Sequence, residues 1–169
     1  RNYRALQAAV AAGFNITCIG DERAYSYLPS RGGATLADRA AKHVLGHLHP
    51  EYIPYSYLDR GSDERQYCSP GIDLPVCSLM RSKYGAYPEY HTSLDDLRLV
   101  TPAGLAGSLE VLQKVVTCLE LDETLRSSVL CEPQLGRRGL YPTLSTRQSA
   151  AIVKDMMSYL GYVDGKLSN

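Results

Sequence analysis

The chain has no net charge: its 18 Lys and Arg residues balance 18 Asp and Glu. No overall field steers it toward nucleic acid or anionic lipid, so nucleic-acid binding is not expected of this part. Also missing is any run near the roughly 20 apolar residues needed to span a bilayer, and residues 1–15 lack a signal-peptide pattern. No membrane partner is expected. A disulfide framework is absent too, because the cysteines are five, an odd number, and widely spaced. Free thiols in a reducing compartment, and hence a cytoplasmic location, fit that pattern. Tryptophan does not occur at all, whereas tyrosine occurs 13 times. Tyrosines at half-buried strand edges account for this more simply than a sugar- or peptide-binding groove. There is neither an internal repeat nor a low-complexity tract.

What remains is an ordinary globular composition, 44% apolar and 21% charged over 169 residues. One domain with a proper core fits that length, and two full domains would be crowded. The opening residues Arg1-Asn2-Tyr3-Arg4 have no initiator Met and run straight into a helical pattern, so a fragment or processed piece is expected. Residues 3–12 are strong helix formers, with Gly13 placed as a C-terminal cap. Residues 14–19 read as a buried strand closing on Gly20-Asp21, and functional groups are expected at its carboxyl end.

Thr35 and Asp38 form a capping box for a helix with Leu36, Ala40, Val44 and Leu48 on one face, stopped by Pro50. Further strands are expected over 52–58 and 74–80. A helix from Thr101 and Pro102 carries Leu105, Leu109, Leu112, Val116 and Leu119 on its apolar face. Residues 130–145 read as an irregular connection, and a last helix over 146–160 opens a small second module. Strands alternating with amphipathic helices point to an α/β layered sandwich. The expected division is 1–144 and 145–169.

Reactive side chains are densest over Gly61-Ser62-Asp63-Glu64-Arg65-Gln66-Tyr67 and Tyr90-His91-Thr92-Ser93-Leu94-Asp95-Asp96-Leu97. Ser93 with Asp96 reads as a second capping box, which would fix His91 just before a helix with its imidazole free to face a cleft. Such an imidazole can bind zinc, with Asp63, Asp95 or Asp96 fixing its tautomer. From spacing alone the plainer reading weighs more: a solvated loop histidine, and a helix start with local ion pairs at 63–65.

Gly-Ser-Asp, then Pro-Gly-Ile-Asp-Leu-Pro-Val, then Tyr-His-Thr-Ser-Leu-Asp-Asp-Leu resembles the second half of the co-catalytic zinc aminopeptidases. The run from Gly61 to Gly71 is closer still to aminopeptidase-like proteins associated with bacterial surface-polysaccharide biosynthesis. The resemblance extends from about Gly13 to Tyr162. It implies a three-layer αβα sandwich with a mixed, mostly parallel sheet, incomplete at its N-terminus and followed by a winged-helix module. It also implies one or two zinc ions, with His91 as the last metal ligand and Asp63 in the active-site wall. Simple register puts Thr17 where the family carries a metal-binding aspartate at the strand end, and Asp21, four residues on, is the candidate ligand. The family's remaining ligands and its glutamate base would precede residue 1. Glu64 stands where many relatives have histidine and is grouped with Asp63 as catalytic. Arg65, Tyr67 and Tyr90 are the expected substrate-binding residues: Arg65 to pair with a carboxylate, Tyr67 or Tyr90 to donate to an oxyanion.

The resemblance implies amide hydrolysis with a small peptide or amide as substrate, and self-association is left open. Two alternatives stand beside it. One is an amide hydrolase or tailoring enzyme in surface-polysaccharide biosynthesis; the other is a non-catalytic ligand sensor coupled to the C-terminal module. His43, His47 and His49 at a helix end are set aside as metal ligands, because no glutamate base accompanies them. Cys68 and Cys77 are not spaced as a zinc knuckle. Arg137 and Arg138 more often mark a solvated turn than a phosphate grip.

Overall fold

The computed structural model of the chain describes residues 2–142 and 147–168. It divides into two compact units, Arg1–Leu119 and Glu120–Asn169. The expected division at 144/145 and the helix start at Thr146 lie outside the described residues. The break comes earlier because β5 (Thr124–Arg126) pairs antiparallel with β6 (Asp164–Ser168), which ties residues after 120 to the last module. Helix α5 (Arg147–Gly161) lies between those strands in sequence.

The first unit is an α/β fold on a four-stranded mixed sheet. Its strands are β1 (Gly13–Ile16), β2 (Ser26–Leu28), β3 (Ile53–Pro54) and β4 (Val76–Met80), in the order β1-β4-β2-β3. β1 runs parallel to β4 and β2 parallel to β3, while β2 and β4 are antiparallel. All five residues of β4 are buried, as suits a central strand covered on both faces. Helix α1 (Tyr3–Ala9) ends at Val10. Gly13 opens β1 instead of capping α1, because its N–H goes to the Pro75 carbonyl at 2.9 Å.

Helix α2 (Leu36–Leu48) starts at the expected capping box. Asp38 does more than cap. Wholly buried, its carboxylate accepts from the Tyr27 hydroxyl at 2.6 Å, from the Ser30 N–H, and from the Thr35 N–H and hydroxyl. The cap thereby fastens α2 to β2.

Helix α4 (Pro102–Glu120) corrects the expected apolar face. Its buried residues are Gly104, Ser108, Val111 and Val115, and Leu105, Leu109 and Val116 are exposed. The cause is a close approach to the loop after β1. A Cβ on Gly104 would stand 2.0 Å from the Gly20 carbonyl oxygen, so the helix turns its small residues inward there; of the expected face, Leu112 and Leu119 still pack against the core. Ala37, Ala40, Ala41, Val44 and Leu45 of α2 share one core with Val111 and Val115 of α4 and with Tyr27, Cys77 and Leu79 of the sheet. On the opposite face lie the single-turn helix α3 (Glu64–Tyr67) and irregular chain.

Two further expectations fail locally. Of residues 52–58, only Ile53–Pro54 pair as a strand, and a 3-10 turn over Tyr57–Asp59 follows with its own Ser56–Asp59 capping box. No helix starts at Ser93. The Asp96 carboxylate is taken by the Arg98 side chain and N–H, and His91 adopts φ +58°, so residues 84–100 run as successive turns.

Candidate functional site

Residues 17–21, just beyond β1, form the floor of a hollow of about 400 Å³. Main-chain bonds fix that floor: the Arg81 N–H donates to the Cys18 carbonyl and the Thr101 N–H to the Gly20 carbonyl, both at 2.9 Å. From α4, the Ser108 hydroxyl donates to the Ile19 carbonyl at 2.7 Å. Asp21 closes the loop. Its Oδ1 accepts from the Arg23 N–H and the Ser82 hydroxyl, and its Oδ2 from the Ser82 N–H.

The facing wall is made by Tyr87, Tyr90, His91 and Asp95. The Tyr90 and His91 rings stack with centroids 4.0 Å apart, and Tyr87 meets Tyr90 edge-on at 5.6 Å. The Tyr87 hydroxyl crosses to the floor and donates to Cys18 Sγ at 3.5 Å. Burial, together with that contact, pushes the Tyr87 phenol well up, so it stays a neutral donor at neutral pH. Four described residues other than glycine have a left-handed backbone, and two of them, Cys18 (φ +50°) and His91 (φ +58°), line this hollow. Such strain gathers at sites where geometry serves function.

Of the expected site residues, Asp21, Tyr90 and His91 line the hollow, and Asp63, Glu64, Arg65 and Tyr67 do not. Asp63, Arg65 and Tyr67 are exposed. Glu64 is wholly buried in a knot of donors. Its Oε1 accepts from the Tyr84 hydroxyl at 2.6 Å and from the N–H groups of Gly61 and Ser62 at 2.8 and 2.9 Å. Its Oε2 accepts from Asn15 Nδ2 at 2.7 Å and the Ser78 hydroxyl at 3.2 Å. Burial alone would raise this carboxyl's pKa, but the bonds from Tyr84, Ser62 and Gly61 outweigh it and hold the pKa below the usual range. So placed, Glu64 is a structural anion. Rings connect the knot to the hollow, since Tyr84 lies 6.5 Å from Tyr90, which stacks on His91.

Sequence reasoning passed over Cys18 and Tyr84. Cys18 had one legible signal, its position at the end of a buried strand; the partners of Tyr84 are set only by tertiary contact. Among the described residues no group of three His, Cys, Asp or Glu is placed to hold a metal ion. Asp21 already serves three donors, so the described residues do not make a complete zinc site.

A family model described as "Domain of unknown function (DUF4910)" matches residues 1–122, and a winged helix-turn-helix model matches residues 123–168. A curated protein of Clostridium acetobutylicum, named "Putative polysaccharide biosynthesis protein with aminopeptidase-like domain", is 42% identical over 133 residues, or 78% of this chain and 30% of that protein. A crystal structure of a "putative peptidase" from Clostridium acetobutylicum superposes with a TM-score of 0.84 at 36% identity, covering 98% of this chain and 36% of that one. The chain thus spans about a third of the length of these two relatives.

Proposed function

The chain belongs to the family whose model covers residues 1–122, and from that premise we propose that it forms part of a cytoplasmic, peptidase-like hydrolase of a peptide or small amide. One observation carries this reading of the site: Cys18 and His91, both held in left-handed backbone, line one hollow together with Asp21. The hollow's volume suits a small ligand. The names of the two relatives support the reaction class.

On this reading Tyr87 and Tyr90 form the wall against which substrate lies, and the exposed Asp95 carboxylate is the negative group that a substrate amine would meet. Glu64 acts from behind, by fixing Tyr84. Zinc enters the reading through His91, with Asp21 beside it; since the described residues do not complete a metal site, the other ligands come from the two thirds of the relatives' length that this chain does not span.

Metal analysis of the full-length protein, followed by a screen of aminoacyl-anilides, tests this. Bound zinc with turnover, both lost in His91→Ala, is the expected result. An H91A variant that keeps its zinc overturns the ligand assignment, and a zinc-loaded wild type without turnover on any anilide or amide overturns the hydrolase reading. The winged helix-turn-helix match favours a second reading, a ligand sensor coupled to the C-terminal module. Ligand binding without turnover would select it.

A further inference from the structure

Helix α2 turns two histidines to solvent that the hollow does not use. His43 and His47 are both exposed and stand one turn apart on one face of the helix. Their rings lie side by side, with centroids 4.4 Å apart and planes inclined by 42°. The His47 Nδ1 is 2.8 Å from the His43 carbonyl oxygen. A carbonyl only accepts, so Nδ1 carries the hydrogen, and Nε2 of the neutral ring keeps its lone pair. Metal-binding imidazoles are ordinarily oriented by such a bond from their other nitrogen.

The ring spacing says which ions fit. A metal about 2.1 Å from a ring nitrogen lies roughly 3.2 Å from that ring's centre. Two imidazoles at right angles on a square or octahedral ion therefore have centres roughly 4.6 Å apart, and on a tetrahedral ion roughly 5.3 Å. The observed 4.4 Å matches the right-angled case. His47 also lies in the last turn of α2, where the helix dipole favours a cation. No glutamate base accompanies the pair, which bars a hydrolytic centre but not a clamp. Neither histidine lines the hollow that holds His91, so the feature is independent of the hydrolase reading.

We propose that His43 and His47 form a two-imidazole clamp on the open face of α2 for a late first-row dication that favours right-angled coordination, Ni2+ or Cu2+. Water fills the remaining positions. With only two protein ligands the ion exchanges with solution, unlike one in a closed structural zinc site.

The test titrates Ni2+ into untagged, zinc-loaded full-length protein by calorimetry at neutral pH; nickel is chosen because copper would oxidise the exposed Cys131. The wild type is expected to bind one Ni2+ that His43→Gln and His47→Gln each weaken by about tenfold or more. Nickel at about 100 times its Kd should raise the wild-type thermal midpoint by several degrees, and neither variant's midpoint should rise at that concentration by as much. Because both side chains are exposed, the metal-free midpoints and circular dichroism of the variants should stay those of wild type. Nickel uptake that is equal in the wild type and both variants overturns the proposal, and so does a loss in one variant only, since a clamp needs both rings.

Discussion

The knot around Glu64 and the hollow around His91 are joined through the rings of Tyr84 and Tyr90, yet they are built on opposite terms. In the knot both Glu64 carboxylate oxygens have donors and the side chain is wholly buried. In the hollow two residues sit in left-handed backbone, Asp95 is exposed, and a thiol faces a neutral phenol. A buried charge with a full set of partners specifies structure; strained, solvent-facing polar groups are available for a ligand. From the densest run of reactive residues in the sequence, 61–67, Glu64 alone is buried and bonded, and the thinner run at 87–95 supplies one wall of the hollow.

The sharpest way to break this contrast is Glu64→Ala, which removes the buried acceptor shared by five donors; an unfolding free energy lower by roughly 3–5 kcal/mol in urea is expected. A loss below about 1 kcal/mol would dissolve the distinction. Asp38→Ala is next. It removes the Asp38 half of the α2 capping box and the partner of the Tyr27 hydroxyl together, for a loss of roughly 2–4 kcal/mol by the same measurement. Gly104→Ala forces α4 off the Gly20 carbonyl and should cost roughly 1–3 kcal/mol. His91→Gly is expected to leave stability within about 1 kcal/mol of wild type, since glycine takes φ +58° without strain. Zinc content and turnover of the full-length protein should fall all the same.

Acid separates the two regions as well. Glu64 and Asp38 both have folded pKa values below their unfolded ones. Burial pushes each up, but hydrogen bonds, from Tyr84 for Glu64 and from Ser30 and Tyr27 for Asp38, outweigh it. Their contribution is therefore complete above the unfolded carboxyl pKa of about 4 and lost as pH falls through the folded values. Stability should decline below about pH 4, and Glu64→Gln should flatten that decline in urea titrations.

Local signals were legible where local chemistry decides the outcome. The Thr35–Asp38 box, the buried strand around 76–80 and the start of α4 at Pro102 follow from neighbours in sequence. β2 has only three residues between polar stretches, so no period shows, although it is central in the sheet. The leucine stripe of α4 has the stronger hydrophobic signal, but the approach of Gly104 to Gly20 rotates the helix toward its small residues. Ser93 and Asp96 have the spacing of a cap, and Arg98 competes for the carboxylate that would have closed it. Glu64 read as reactive because a lone sequence does not show which acid will be buried. His91 and Asp21 line one hollow, whereas Cys18 and Tyr84 depend on contacts across 69 and 20 positions respectively, formed only on folding.

The meeting of Gly20 with α4 has one more consequence. A Cβ on Gly20 would strike Val100 Cγ1 at 2.7 Å, just as one on Gly104 would strike the Gly20 carbonyl. Beneath the cavity, the α4 main chain therefore rests on the Gly20 main chain, and the Val100 side chain packs close against Gly20, so a side chain added at either glycine would displace the floor. Relatives that differ in ligand preference should differ at the rim, at positions 87, 90 and 95, while both glycines stay as they are.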